Sequence, residues 1–383
     1  MKFDRLKDFL DYYLPMLGVP GSDTVIYKDH EEIFRHTTGF DNLKYRTPMR
    51  KDALHHVYSC TKIATCVAAL QLIERGEILI NDPVHVYFPE YKNLQIARRT
   101  ADGKVKLEKA RTSMLIRHLF TMTSGMDYSI RRASIDRIKK QTDGRCPTLD
   151  LVRAFPEDPI VCDPGERYVY GLSHDVLGGI VELISGMKLG DYMKKNIFEP
   201  LGMKDTTFEI GQHNYERIAS QYEYDSVGRC AIEVLKDSNI MRFGSEYQSG
   251  GAGLLSTVDD FILLTDALAN GGVGKNGARI LCRASVELLN SSCLTPEQQP
   301  YFEIGAQNIG YDYCLGVRSM RDPAKAGSLV PKGAFGWDGK KMCLSVSDPQ
   351  NHIAIFHAEE IDGMNSILIP RLLNVIYSCF DEE

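Results

Sequence analysis

Val57-Tyr58-Ser59-Cys60-Thr61-Lys62 opens a run in which Ile63, Cys66, Val67, Leu70 and Ile73 recur at helical spacing, and Gly76 stands where a C′ glycine ends a helix. The pattern predicts a helix over residues 60–75. It puts the Ser59 hydroxyl and the Lys62 amine on one face, one turn apart. A hydroxyl at a helix start sits at the positive end of the dipole, which favours a developing alkoxide. Lysine can take its proton only when neutral, and an unperturbed lysine has a pKa of ~10.4. Lowering that by ~3 units costs about 4 kcal/mol, which burial and neighbouring groups must supply. The second Ser-x-x-Lys, Ser185-Gly186-Met187-Lys188, follows a helical run and contains a glycine, so it reads as a helix exit.

Outward from this helix the pattern changes at both ends. Residues 25–27 and 33–36 flank the polar Lys28-Asp29-His30-Glu31-Glu32 and predict a β-hairpin. Residues 311–318, 341–347 and 352–357 read as strands, and 365–380 as a last helix. Between them, residues 91–240 alternate helical runs (113–120, 175–184, 189–196) with polar loops, and 259–270 is helical after the Gly250-Gly251-Ala252-Gly253 turn. Charge clusters such as Arg131-Arg132 and Lys139-Lys140 read as solvated surface. The expected architecture is α+β. An antiparallel sheet flanked by helices is built from residues 1–90 and 241–383, a helix-rich region spans 91–240, and an active site lies between them.

Composition narrows the function. The chain has 383 residues, 43% hydrophobic and 25% charged, with 45 Lys+Arg against 51 Asp+Glu for a net charge of −6. A mildly acidic chain without a basic run is a poor nucleic-acid or membrane-surface binder. Residues 1–14 alternate charge with Phe3, Leu6, Phe9, Leu10 and Tyr13, an amphipathic helix and not an export signal. The ten cysteines form no CxxC pair, which fits reduced, buried thiols and a cytoplasmic protein. No HExxH, Gly-x-Ser-x-Gly, P-loop or dinucleotide glycine pattern occurs, so no metal and no cofactor is expected.

Further motifs stand in order along the chain. They are Asn81-Asp82-Pro83, Arg117-His118-Leu119-Phe120-Thr121-Met122-Thr123-Ser124-Gly125, Pro164-Gly165-Glu166-Arg167-Tyr168-Val169-Tyr170, Pro200-Leu201-Gly202-Met203, and Gly250 to Thr257. With Ser59-x-x-Lys62 they closely resemble the serine β-lactamase-like family, in the branch of class C β-lactamases, family VIII carboxylesterases and D-aminopeptidases. The resemblance runs from about residue 25 to 357 and implies the β-lactamase/transpeptidase-like fold.

It also implies roles. Ser59 would be the nucleophile, with Lys62 and Tyr170 as general base. Tyr170 is followed by Gly171 and Leu172 where the family carries serine and asparagine. Leu172 thus occupies a substrate-binding position and implies weak or no β-lactam turnover. Phe335-Gly336-Trp337-Asp338-Gly339 is similar to the tryptophan form of the third motif, with Asp338 in place of a glycine. Trp337, Asp338 and Gly339 would line the substrate site, and the amides of Ser59 and Lys340 would hold the oxyanion. Asp338 could repel an anionic substrate, attract an amine, or cap the turn into the next strand.

The leading expectation is a carboxylesterase acting on a small-molecule ester or amide through an acyl-enzyme on Ser59. An acyltransferase or D-amino-acid amidase of the same fold is the first alternative, and a catalytically silent ligand-binding member the second. A homo-oligomer is compatible with the sequence.

Overall fold

The structure is a computed structural model that describes residues 3–100, 102–129 and 132–380. Eight strands form one antiparallel sheet: β1 (Gly21–Lys28), β2 (Glu31–Asn42), β3 (Thr47–Pro48), β4 (Tyr311–Tyr313), β5 (Arg318–Met320), β6 (Phe335–Asp338), β7 (Leu344–Asp348) and β8 (Ile353–Ala358), in the order β4-β5-β6-β7-β8-β1-β2-β3. The two ends of the chain meet where β1 pairs with β8, with Val25 opposite Phe356 and Thr24 opposite His357. β1 and β8 are buried along almost their whole length; Val25-Ile26-Tyr27 and Ile353–Phe356 are apolar runs, while Ser22, Asp23 and Thr24 are buried polar residues.

Four helices matter for the site: α1 (Thr61–Glu74), α2 (Ser173–Ser185), α3 (Val258–Ala269) and α4 (Asn365–Ser378). Helix α3 lies on the sheet against β1, β7 and β8. Helix α1 packs on α2 and is buried on every side from Thr61 to Leu72. A helix apolar all round belongs inside a core. A single continuous apolar cluster joins these helices to the sheet.

Several expectations are corrected. Residues 311–318 are not one strand. Cys314 donates its amide to the Val317 carbonyl at 2.8 Å, and the turn splits the segment into β4 and β5, which pair with each other. The alternating Tyr-Asp-Tyr-Cys-Leu-Gly-Val-Arg hides that turn. The middle region also holds strands: a hairpin of Gln95–Arg99 with Val105–Lys109, and Gln221–Asp225 between Cys230–Val234 and Ile361–Asp362. Val105-Lys106-Leu107-Glu108-Lys109 and Gln221-Tyr222-Glu223-Tyr224-Asp225 do alternate, but the first is almost wholly exposed and the second buries only Gln221 and Tyr222, so neither carries the apolar face of a core strand. At the N-terminus, Met1 and Lys2 lie outside the described residues. Asp4–Asp8 is helical, and Leu6 and Leu10 are buried. Arg131 also lies outside the described residues. Arg132 is not solvated surface: it is buried and bonded to the Asp127 carboxylate at 2.6 Å.

Among the described residues no helix is long and apolar enough to cross a membrane.

Candidate active site

Ser59 sits in a single 3-10 turn, Tyr58–Cys60, that leads into α1. Its neighbour Tyr58 has φ +41°, a left-handed conformation that strains a residue with a side chain. Tertiary contacts hold it there. The Tyr58 hydroxyl donates to Gln221 Oε1 at 2.7 Å, and the Val57 amide donates to the Leu254 carbonyl at 3.2 Å. Gly339 meets the same turn from β6, where a Cβ would stand 2.5 Å from the Val57 carbonyl oxygen. Only glycine lets the end of β6 approach the Ser59 segment this closely.

Lys62 lies one turn beyond Ser59 and is wholly buried. Its Nζ donates to Ser59 Oγ at 3.1 Å, to the Tyr128 hydroxyl at 2.8 Å and to the Gly251 carbonyl at 2.6 Å. All three acceptors are uncharged. Burial brings the Lys62 pKa down to about 7, against the pull of the Asp175 carboxylate. Asp175 is itself buried on α2, where Tyr247 and Ser249 donate to its Oδ1 at 2.7 and 2.6 Å. Burial raises its pKa, and those hydrogen bonds oppose the rise.

Tyr170 packs its ring 4.7 Å from Lys62 Nζ. Its hydroxyl oxygen accepts from Trp337 Nε1 at 2.9 Å. Burial raises the phenol's pKa, while hydrogen bonds from Ser59 and Trp337 favour the phenolate. Tyr128 stands edge-on to Tyr170, with ring centroids 5.4 Å apart, so two phenols and one amine converge on Ser59 Oγ.

These groups open into a cavity of about 640 Å³ lined by Ser59, Tyr128, Tyr170, Trp337, Asp338 and Lys340, among others. Tyr301, Phe302, Ile304, Ile240 and Met241 add an apolar wall. Of the residues singled out from sequence, Ser59, Lys62, Tyr170, Trp337, Asp338 and Lys340 come together here. Gly339 is packed against Val57 and does not line the cavity. Leu172 is fully buried at the start of α2 and does not reach the cavity either. The preceding residue explains why: a Cβ at Gly171 would stand 2.0 Å from the Met126 carbonyl oxygen, so the chain is pressed inward at this point.

Asp338 neither stands free nor caps a turn by itself. Its carboxylate pairs with buried Arg318 at 2.5 Å and accepts from Asn365 Nδ2 at 2.7 Å. Arg318 faces Gly336 across the β5–β6 pair, so it reaches diagonally to Asp338 past a residue with no side chain. Lys340 follows in a turn closed by the Met342 amide on the Gly339 carbonyl at 3.0 Å. Its ammonium pairs with Asp362 at 3.1 Å. Cys60, beside Ser59, is fully buried, and burial pushes its thiol pKa well up, so it packs and does not react.

Sequence reading missed Tyr128, Gly251 and Arg318. Tyr128 follows the Thr123-Ser124-Gly125 segment by three residues, which was its one available signal. Gly251 lies in a recognised turn, but a carbonyl acceptor leaves no mark in a side-chain pattern. Among the described residues no group of three His, Cys, Asp or Glu side chains is placed to hold a metal ion.

The beta-lactamase family model matches residues 6–358. Esterase EstB of Burkholderia gladioli is 28% identical over 358 residues, covering 88% of this chain and 84% of that protein. Acyltransferase calJ of Penicillium decumbens is 28% identical over 377 residues, covering 90% and 84%. The solved structure of EstCE1, a hydrolase with promiscuous acyltransferase activity, superposes with a TM-score of 0.78 at 21% identity, over 99% of this chain and 98% of that one.

Proposed function

The chain belongs to the beta-lactamase family and has its β-lactamase/transpeptidase-like fold, and from that premise we propose that it is a serine esterase working through an acyl-enzyme on Ser59. One observation carries this reading: Ser59 Oγ lies 3.1 Å from an amine that is wholly buried and has its pKa brought to about 7. About half of such a lysine is neutral at pH 7, against roughly one part in a thousand for an ordinary one.

Ser59 Oγ attacks the ester carbonyl carbon as its proton passes to Lys62 Nζ. The carbonyl oxygen becomes an oxyanion, held by the backbone amides of Ser59 and Lys340. Each such donor contributes ~3 kcal/mol to the transition state. The tetrahedral intermediate collapses, the C–O bond to the alcohol breaks, and Tyr170 protonates the departing alkoxide. Lys62 returns its proton to the phenolate by way of the hydroxyl cluster. Water then attacks the acyl carbon by the same route in reverse, releasing the acid and free Ser59.

A second reading replaces that water with an alcohol. The similarity to both an esterase and an acyltransferase favours keeping it, as does an apolar wall able to hold an acceptor.

Intact-mass spectrometry after a fluorophosphonate probe tests the proposal. One adduct is expected on the wild type and none on Ser59→Ala. A folded wild type that takes no adduct would sink the esterase reading in favour of a ligand-binding member. Added butanol then separates the two readings: butyl ester formation outpacing hydrolysis identifies a transferase.

A further inference from the structure

Three charged side chains line the cavity: Arg318, Asp338 and Lys340. Among the described residues of the wall, Lys340 is half exposed and turned to Asp362, and the buried cation is Arg318. That guanidinium is buried, stacked 5.2 Å from the Trp337 ring centroid and 5.5 Å from that of Tyr311. It also donates to Asn308 Oδ1 at 3.3 Å. A stacked, planar guanidinium at the wall of an acyl site is a carboxylate receptor. Here its partner is already part of the protein: Asp338 pairs with it at 2.5 Å and is steadied by Asn365.

We propose that Asp338 is a specificity-determining residue that occupies the anion-binding face of Arg318, closing the cavity to substrates with a carboxylate beside the acyl group and reserving it for uncharged ones. A carboxylated substrate would bring a second negative charge against a pair already neutral, and would lose its hydration for no new partner. Because stacking and Asn308 hold Arg318 independently of Asp338, removing the charge at 338 exposes a receptor already in place. The inference deepens the proposed esterase reading, since it takes this cavity as the acyl site.

Trp337 is the only tryptophan in the chain and lines the cavity, so its fluorescence reports occupancy without turnover. Phenylacetamide and phenylacetate serve as a neutral and an anionic probe of nearly the same shape. The wild type is expected to bind the amide at least tenfold more tightly than the carboxylate. Asp338→Asn should tighten phenylacetate tenfold or more while leaving phenylacetamide within about twofold, and Arg318→Gln added to it should remove the gain. Equal binding of both probes by the wild type overturns the proposal, as does a folded D338N with an unchanged ratio. Should D338N fail to fold, the wild-type ratio decides alone. Silence of Trp337 to both probes while the fluorophosphonate still labels Ser59 also overturns it, because acyl groups then sit elsewhere. Probe binding without labelling is instead the failure of the esterase reading.

Discussion

Two buried polar clusters in this molecule are arranged on opposite rules. At the shared end of β1, β2 and β8, the buried charges are paired with opposite charges. Arg35 donates to Asp23 at 2.6 Å, Thr37 donates to the same carboxylate at 2.7 Å, and Asp259 also meets Arg35. His357 bridges Thr24 and Glu359 at 2.7 and 2.8 Å. Around Ser59 the burial is as deep, but the lysine's acceptors are two hydroxyls and a carbonyl. The first arrangement neutralises charge and holds strands together. The second leaves an amine whose cheapest way to be buried is to give up its proton. Burial alone does not make a reactive group; burial without a counter-ion does.

The contrast is broken most strongly at Lys62. Lys62→Met should lower kcat/KM by about 10⁴-fold, the scale of losing an essential base. Its stability should move the other way, with a sign set by pH. The folded pKa is about 7 against 10.5 unfolded, so the unfolded chain binds more protons between those values, and wild-type stability rises with pH across that window. The destabilising cost is fully present below pH 7 and gone by about 10.5. Thermal melts of the variant minus the wild type should therefore be more positive at pH 6.5 than at pH 9.5. A difference that does not vary with pH would mean that Lys62 is not buried as an amine.

Asp23→Ala tests the other cluster. Leaving Arg35 with only the exposed Asp259 should cost about 3 kcal/mol by denaturant titration. Activity per folded molecule should stay unchanged, since none of these groups lines the cavity.

Tyr170→Phe should lower kcat by about 10²–10³-fold with KM little altered, measured on a short-chain p-nitrophenyl ester. Smaller again is Tyr128→Phe. It removes an acceptor that favours the charged amine, so the acidic limb of the kcat/KM profile, expected near pH 7, should move to lower pH, with a loss of about tenfold at the optimum. A limb that moves upward would reverse the assignment of donor and acceptor between Tyr128 and Lys62.

What could be read beforehand follows from how each part is encoded. The sheet built from both ends of the chain and the Ser59–Lys62 helix were legible, because periodicity and a four-residue spacing are local. Tyr170 and Trp337 were legible through motif resemblance. Tyr128 and Arg318 were not: one is delivered by a loop and the other by a diagonal across two strands, and neither relation exists in one dimension. Leu172 shows the opposite failure. Its place after a motif tyrosine suggested a substrate contact, but the tight packing at Gly171 turns it into the core. Asp338 was legible as an oddity, though its meaning needed the register of β5 on β6.

The burial of α1 from Thr61 to Leu72 has a consequence for how the molecule breathes. Amide protons along that helix are expected to be among the slowest to exchange, which hydrogen-exchange measurement would check. The facing wall is another matter. It rests on the short helices Gln299–Phe302 and Ala306–Asn308, with Ile304 largely and Tyr301 partly exposed, and faster exchange is expected there. The helix that holds Lys62 and the wall that faces it are thus built to different depths, and changes to that wall are expected to alter what the cavity accepts without touching the packing of α1.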